Sequence, residues 1–248
     1  MKFAEFASAE GRRTIADKFS MFTDVIARLE EIYNLRPFDQ QSAQSLLELW
    51  LLVVTTRPRT VFELGCGMRA STVALALAAA ELPECIVRGV DLAPIDFPIL
   101  AARHFPDLRF GPVLDTAIDA VDFDIPDYWP QPIFMLYDAQ DGGVPGRIIS
   151  RHAIAKWFPK IPGQTVAIHD CYVVSPDFVL PPGSYSEATH WSGRCLAGFA
   201  EVQPLVEWMN RDRVDFWRPA DEVQKLGLPG NDSCLIALTI PASTGPFS

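Results

Sequence analysis

Residues 61–72 read Val-Phe-Glu-Leu-Gly-Cys-Gly-Met-Arg-Ala-Ser-Thr: an apolar run breaks on Gly65-x-Gly67 and passes into alanine-rich sequence. Val61–Leu64 predicts a strand, and Ser71–Leu82 predicts a helix. Glycines at such a junction let the backbone turn sharply and come into contact with a ligand. The helix start adds free N–H groups and the positive end of its dipole. A tight turn without a ligand would look the same locally, so the flanking sequence has to decide.

Downstream, short apolar runs alternate with helical stretches. Strands are predicted at Ile86–Val90, Leu108–Leu114, Ile133–Tyr137 and Thr165–Ile168, with helices over Ile95–Phe105 and Gly146–Phe158. Nearly continuous apolar strands separated by helices indicate a parallel sheet covered on both faces. The last third differs. Ser175–His190 reads as a long loop and Leu196–Asn210 as a helix. Val214–Trp217 and Leu235–Ile240 then read as strands joined by a turn-rich Pro219–Ser233, without a helix, which favours antiparallel pairing. The expected fold is α/β: a Rossmann-like, doubly wound, mostly parallel seven-stranded sheet with an antiparallel last strand.

Upstream, Ile15, Phe19, Phe22, Ile26, Leu29 and Ile32 recur three or four residues apart and form one apolar helical stripe. Asp39 or Ser42 could cap a second helix through Leu46, Leu47, Trp50 and Val54, which Arg57-Pro58 ends. The expected division is an N-terminal helical cap over 1–57 and a core over 58–248.

The chain has 248 residues and a formal charge of −10, with 49% hydrophobic and 21% charged residues, ample for a packed core. The acidic balance argues against a phosphate-backbone binder. The longest apolar run, Val73–Ala80, is far short of a bilayer span, and the start MKFAEFASAEGRR does not suit a signal peptide. The five cysteines form no C-x-x-C pair, so reduced thiols are expected. These features suit a cytoplasmic protein with neither nucleic acid nor membrane as partner. A homodimer is compatible with them.

Gly65-x-Gly67-x-x-Ala70, with Asp91 at the end of the second strand, satisfies the dinucleotide fingerprint and so fits NAD. Three features favour a different cofactor. Glu63 lies inside the first strand, where an acid suits an ammonium or sulfonium group. Asp115 ends the predicted third strand, where a carboxylate could accept from an adenine amino group. The closing antiparallel strands depart from a plain dinucleotide fold.

With these residues the sequence resembles the class I S-adenosylmethionine-dependent methyltransferases. Glu63-Leu-Gly65-Cys-Gly67 is similar to their first motif, Val90-Asp91 to the second and Leu114-Asp115 to the third. Leu136-Tyr137-Asp138 and Ala167-Ile-His-Asp170 look like the segments after strands four and five. The resemblance spans about residues 58–241 and lies nearest the small-molecule O-methyltransferases and cephalosporin-hydroxylase-like proteins. It implies S-adenosylmethionine at Glu63, Gly65, Cys66, Gly67, Arg69, Ser71, Asp91, Leu92 and Asp115. Arg69 departs from the pattern, because that branch carries a third glycine there. Its cation could point outward and grip the methionine carboxylate or an anionic substrate, or be an ordinary solvated arginine.

On the acceptor side, a hydroxyl or amine must lose its proton to a base or a metal-assisted step. Asp138, Asp141, His169 and Asp170 fall at strand ends, where ligands of open α/β sheets bind. His169 and Asp170 are adjacent in an extended segment, so their side chains should point to opposite faces. Metal-dependent relatives hold Mg2+ with an Asp after strand four and an Asp-Asn pair after strand five. Asp138 and Asp170 match the acids, and Cys171 replaces the Asn with a poor ligand for a hard cation. His169 is the alternative base, or simply a hydrogen-bonded strand-end residue. Tyr185, His190, Trp191 and Arg194 could line the acceptor pocket. A methyltransferase acting on a small molecule is the leading expectation. A non-catalytic or substrate-binding protein keeping this fold, and an NAD-dependent oxidoreductase, are the alternatives.

Overall fold

The computed structural model describes residues 2–34, 42–139, 149–173, 195–197, 202–228 and 235–242. Ser8 caps α1 (Ala9–Tyr33) by accepting from Gly11 N, and Ile15, Phe22, Val25 and Leu29 form its buried stripe. Ser42, not Asp39, caps α2 (Ala43–Thr56), which ends at Arg57 in a left-handed conformation. α2 is buried all round, from Leu46 through Val53, between α1 and the first helix of the core.

The core runs β1 (Thr60–Leu64), α3 (Ala70–Ala80), β2 (Ile86–Asp91), α4 (Phe97–His104), β3 (Val113–Ala117) and β4 (Ile133–Tyr137). A helix follows from α5 (Ile149–His152) into a π-helical turn, Ala153–Trp157, and then β5 (Thr165–Ile168). Next come β6 (Cys171–Val173), β7 (Cys195–Ala197), α6 (Gln203–Arg211), β8 (Phe216–Trp217), α7 (Pro219–Lys225) and β9 (Ile236–Thr239). The main sheet is 7-stranded in the order β3-β2-β1-β4-β5-β9-β8. β9 is antiparallel to both its neighbours, and the pairs among β1 to β5 are parallel. β6 and β7 pair separately as an antiparallel ribbon.

Strand residues alternate between two cores. Val61, Val87, Phe134 and Leu136 join α1, α2, α3 and α7 on one face. Phe62, Leu64, Val90, Met135 and Tyr137 join α5 and α6 on the other. This two-sided burial explains the continuous apolar strands, and the antiparallel β9 departs from the all-parallel dinucleotide fold.

Several boundaries differ from expectation. The third strand lies at Val113–Ala117 rather than Leu108–Leu114, because Phe110 anchors the preceding connection against Phe97 and Phe105. Asp115 therefore sits inside β3, opposite Gly89, instead of at its end. Residues 195–197 are strand, and α6 begins only at Gln203, with Pro204 in its first turn. A helix, α7, does interrupt the Pro219–Ser233 segment. It starts on Pro219, carries Asp221 and Glu222 in its first turn and ends on Lys225, a charge order that suits the helix dipole. The predicted 175–190 loop, together with Asp141, Tyr185, His190, Trp191 and Arg194, lies outside the described residues.

Candidate functional site

The parallel strands bring four turns together at one end of the sheet. Gly65 N donates to Val90 O at 3.0 Å, Asp138 N to Leu64 O at 2.9 Å and His169 N to Tyr137 O at 3.0 Å. Gly65 has φ +82, and a Cβ there would stand 2.4 Å from Asp138 O, so only glycine allows β1 and β4 to close together. Gly67, at φ +45, has nothing within 4 Å of an added Cβ and faces open space.

Asp91 holds this turn. Its Oδ2 accepts from Cys66 N at 2.9 Å and Gly67 N at 3.1 Å, and its Oδ1 from Ala93 N at 3.1 Å. Beside it Leu92 is 60% exposed, an apolar surface at the open mouth, and Met68 is exposed at the loop tip. A carboxylate beside an exposed apolar side chain suits a ribosyl-purine group.

Glu63 and Ser71 point elsewhere. The Glu63 carboxylate is fully buried and accepts from Ser71 Oγ at 2.5 Å and Thr72 Oγ1 at 2.7 Å. Burial raises its pKa to about 7 against the lowering effect of those bonds and of Arg69. Both residues brace the start of α3 from within. The Cys66 thiol is buried too, and burial with the nearby acids pushes its pKa up, so it stays protonated.

Arg69 turns inward, neither outward nor into solvent. It caps α3 at φ +72 and is wholly buried. Its Nη2 donates to Asp115 Oδ2 at 2.6 Å, Nε and Nη2 donate to Ile95 O, and Nη1 approaches Thr72 Oγ1 at 3.4 Å. Burial opposes its charge, but its acidic surroundings outweigh that and raise its pKa. Tyr33, at the end of α1, is near enough for this cation to offset part of the burial that raises its phenol pKa.

The second cluster follows β4 and β5. His169 Nδ1 lies 3.0 Å from Asp138 Oδ1 and 3.2 Å from Asp170 Oδ1. Ligand atoms of all three residues fall within 4.8 Å of one another. The expected divergence of His169 and Asp170 fails because Asp170 has φ +60. That left-handed residue breaks the strand's alternation and returns its carboxylate to the side of His169. Cys171, in the slot of a third oxygen ligand, is a buried thiol at the start of β6.

Sequence reasoning overlooked Gly89, Thr72 and the Ile95 carbonyl, which surround Arg69. Gly89 carried a signal, a glycine inside the strand that leads to Asp91, since isolated strand glycines mark close approach. The Ile95 contact carried none, because any residue supplies a carbonyl.

No known family model matches this sequence, and no curated protein sequence matches it either. Solved structures do. A candidate O-methyltransferase from Klebsiella pneumoniae superposes with TM-score 0.50 and 16% identity over 89% of this chain and 90% of that one. A candidate caffeoyl-CoA O-methyltransferase from Staphylococcus aureus gives TM-score 0.50 and 13% identity over 93% and 98% of the two chains. The chain has the class I methyltransferase fold.

Proposed function

We propose that the protein is an S-adenosylmethionine-dependent methyltransferase acting on a hydroxyl or amine of a small molecule. The observation that carries this is the Gly65–Gly67 turn held by Asp91 beside exposed Leu92, at the open end of a methyltransferase-type sheet. Similarity to the two candidate O-methyltransferases supports the same reaction class. Asp91 would accept from ribose hydroxyls, Gly67 would leave the backbone open to the ligand, and Leu92 would cover the purine. Glu63, Cys66 and Ser71 shape the turn from beneath.

S-adenosylmethionine supplies a methyl group on a sulfonium, which needs only an aligned nucleophile. The chain's own task is to remove the acceptor's proton. Asp138 and Asp170 beside Nδ1 of His169 favour the proton on that nitrogen. Nε2 is then left to accept from the acceptor hydroxyl or amine as it takes the methyl. Magnesium does not suit this cluster: an imidazole nitrogen stands against both carboxylates, and the third slot is a thiol.

Residues 1–57 are proposed as a cap on the 58–248 core, supported by the packing of α1 and α2 into one hydrophobic core with α3. We place the activity in the cytoplasm, where buried free thiols such as Cys66, Cys85 and Cys171 stay reduced.

Calorimetry with S-adenosylhomocysteine, S-adenosylmethionine and NAD(H) tests the reading. Binding of NAD alone would sink it. The internal pairing of Arg69 with Asp115 favours one second reading, a binding protein that keeps the fold without transferring methyl groups. Tight adenosyl-cofactor binding with no transfer to any member of a broad acceptor panel would select it.

A further inference from the structure

The two edges of the main sheet are finished differently. At one edge β8 has 2 residues, and its Trp217 ring is packed by Phe3 at 5.6 Å and by Lys2 at 5.7 Å. At the other edge β3 has 5 residues, none of them buried. Leu114 is 50% exposed, and Thr116 and Ala117 are exposed beside it. In a doubly wound sheet a helix ordinarily covers this face. Here the chain between β3 and β4 supplies one 3-10 turn, Ala120–Asp122, and Tyr128 stands 79% exposed further along it.

Hydrogen bonds fix which way the backbone of β3 faces. Val87 N donates to Pro112 O and Ile118 N to Asp91 O, so Leu114 and Thr116 between them also turn their peptide groups toward β2. Val113, Asp115 and Ala117 therefore turn theirs outward, and no strand among the described residues pairs with them. An exposed edge of this kind is usually blunted by charged side chains or proline. The one charge in β3 is Asp115, and Arg69 Nη2 holds it at 2.6 Å, leaving its side chain 17% exposed. Arg69 thus leaves the edge without a free charge.

We propose that β3 is the seat of a two-fold dimer, in which it pairs antiparallel with β3 of a second copy and joins the two sheets into one. An axis beside Asp115 sets its outward N–H and C=O against those of its counterpart, and Val113 of each copy against Ala117 of the other. Leu114 of each copy then meets Thr116 of the other on the uncovered face. The strand is its own complement, and its exposed side chains offer no charge that would select an acidic or basic peptide instead. The short, covered β8 edge closes off head-to-tail pairing, so assembly stops at the dimer. The two Asp115 carboxylates come side by side across the axis and would repel were each not paired with its own Arg69. The pairing is independent of what binds at the glycine turn.

Sedimentation velocity of the full chain at micromolar concentration tests this, with wild type beside Leu114→Lys, Ala117→Pro and Arg69→Gly. Wild type should sediment as a dimer. Leu114→Lys sets a cation on the pairing face, and Ala117→Pro removes an outward N–H without touching the ladder to β2. Each should weaken the dimer by at least about tenfold while the circular dichroism stays that of the folded chain. Glycine is at home at φ +72, so Arg69→Gly is expected to fold. It frees the two Asp115 charges to repel, so its dimer should weaken at low salt and recover in part at high salt. Amide hydrogen exchange of wild type gives a readout that needs no variant. The N–H groups of Val113, Asp115 and Ala117 should be protected alongside those of Leu114 and Thr116. A monomeric wild type, a dimer that both edge variants leave intact, or rapid exchange at 113, 115 and 117 beside protected 114 and 116 overturns the proposal.

Discussion

Glu63 links the glycine turn to the start of α3 through two hydroxyls, and its enclosure gives a pH signature. Its pKa rises from 4.5 to about 7 in the folded chain. Between those values the unfolded chain has released the proton that the folded chain still holds. Stability should therefore fall as pH rises through that window, by on the order of 3 kcal/mol, and level off above it. Glu63→Gln removes the titration. Melting temperatures from pH 4.5 to 7 should decline less for this variant than for wild type, and parallel curves would refute the assignment. Asp91 belongs to the same scale. Asp91→Ala frees the N–H groups of Cys66 and Gly67 and removes the proposed ribose acceptor, so S-adenosylhomocysteine should bind at least about tenfold more weakly. An unchanged dissociation constant would take Asp91 out of the site. At His169, full methyl transfer in EDTA is expected, and loss of activity restored by a divalent cation would reinstate a metal at Asp138 and Asp170.

Among the elements, α2 decides whether the first 57 residues are a detachable cover or part of the body. Leu49, Leu51, Leu52 and Val53 are all buried in the core shared with α3 and the sheet. Leu51→Ala should thus cost about 2–5 kcal/mol and lower the melting temperature of a single cooperative transition. A separate early transition, with the main one unmoved, would mark an independent cap. The same burial explains which elements were legible in the sequence. β1, β4 and β5 are buried on both faces, so their apolar runs stood out between helices. β3 was displaced because an edge strand with exposed Leu114 carries less apolar signal than its anchor Phe110. α7 escaped notice because a helix of 7 residues has too few turns for periodicity to register. Within the site, the order of Gly65, Asp91, Asp138 and Asp170 was readable from strand ends. The inward turn of Arg69 and the left-handed Asp170 were not, since both depend on neighbours contributed by distant segments.

For the whole molecule, a formal charge of −10 gathers some of its acids along one end of the sheet. Asp91, Asp138 and Asp170 stand there, with His169 between the last two and Arg69 paired to Asp115 inside β3. No helix among the described residues is long and apolar enough to cross a membrane. The topology and the glycine turn argue jointly for an adenosyl cofactor, with Arg69 turned inward onto Asp115. Titration of the wild-type protein with S-adenosylhomocysteine in a calorimeter, beside an identical titration with NADH, bears on this directly. Saturable binding of S-adenosylhomocysteine at one site per chain, with no heat from NADH, is the expected result. No binding of S-adenosylhomocysteine, or binding of NADH in its place, would contradict it.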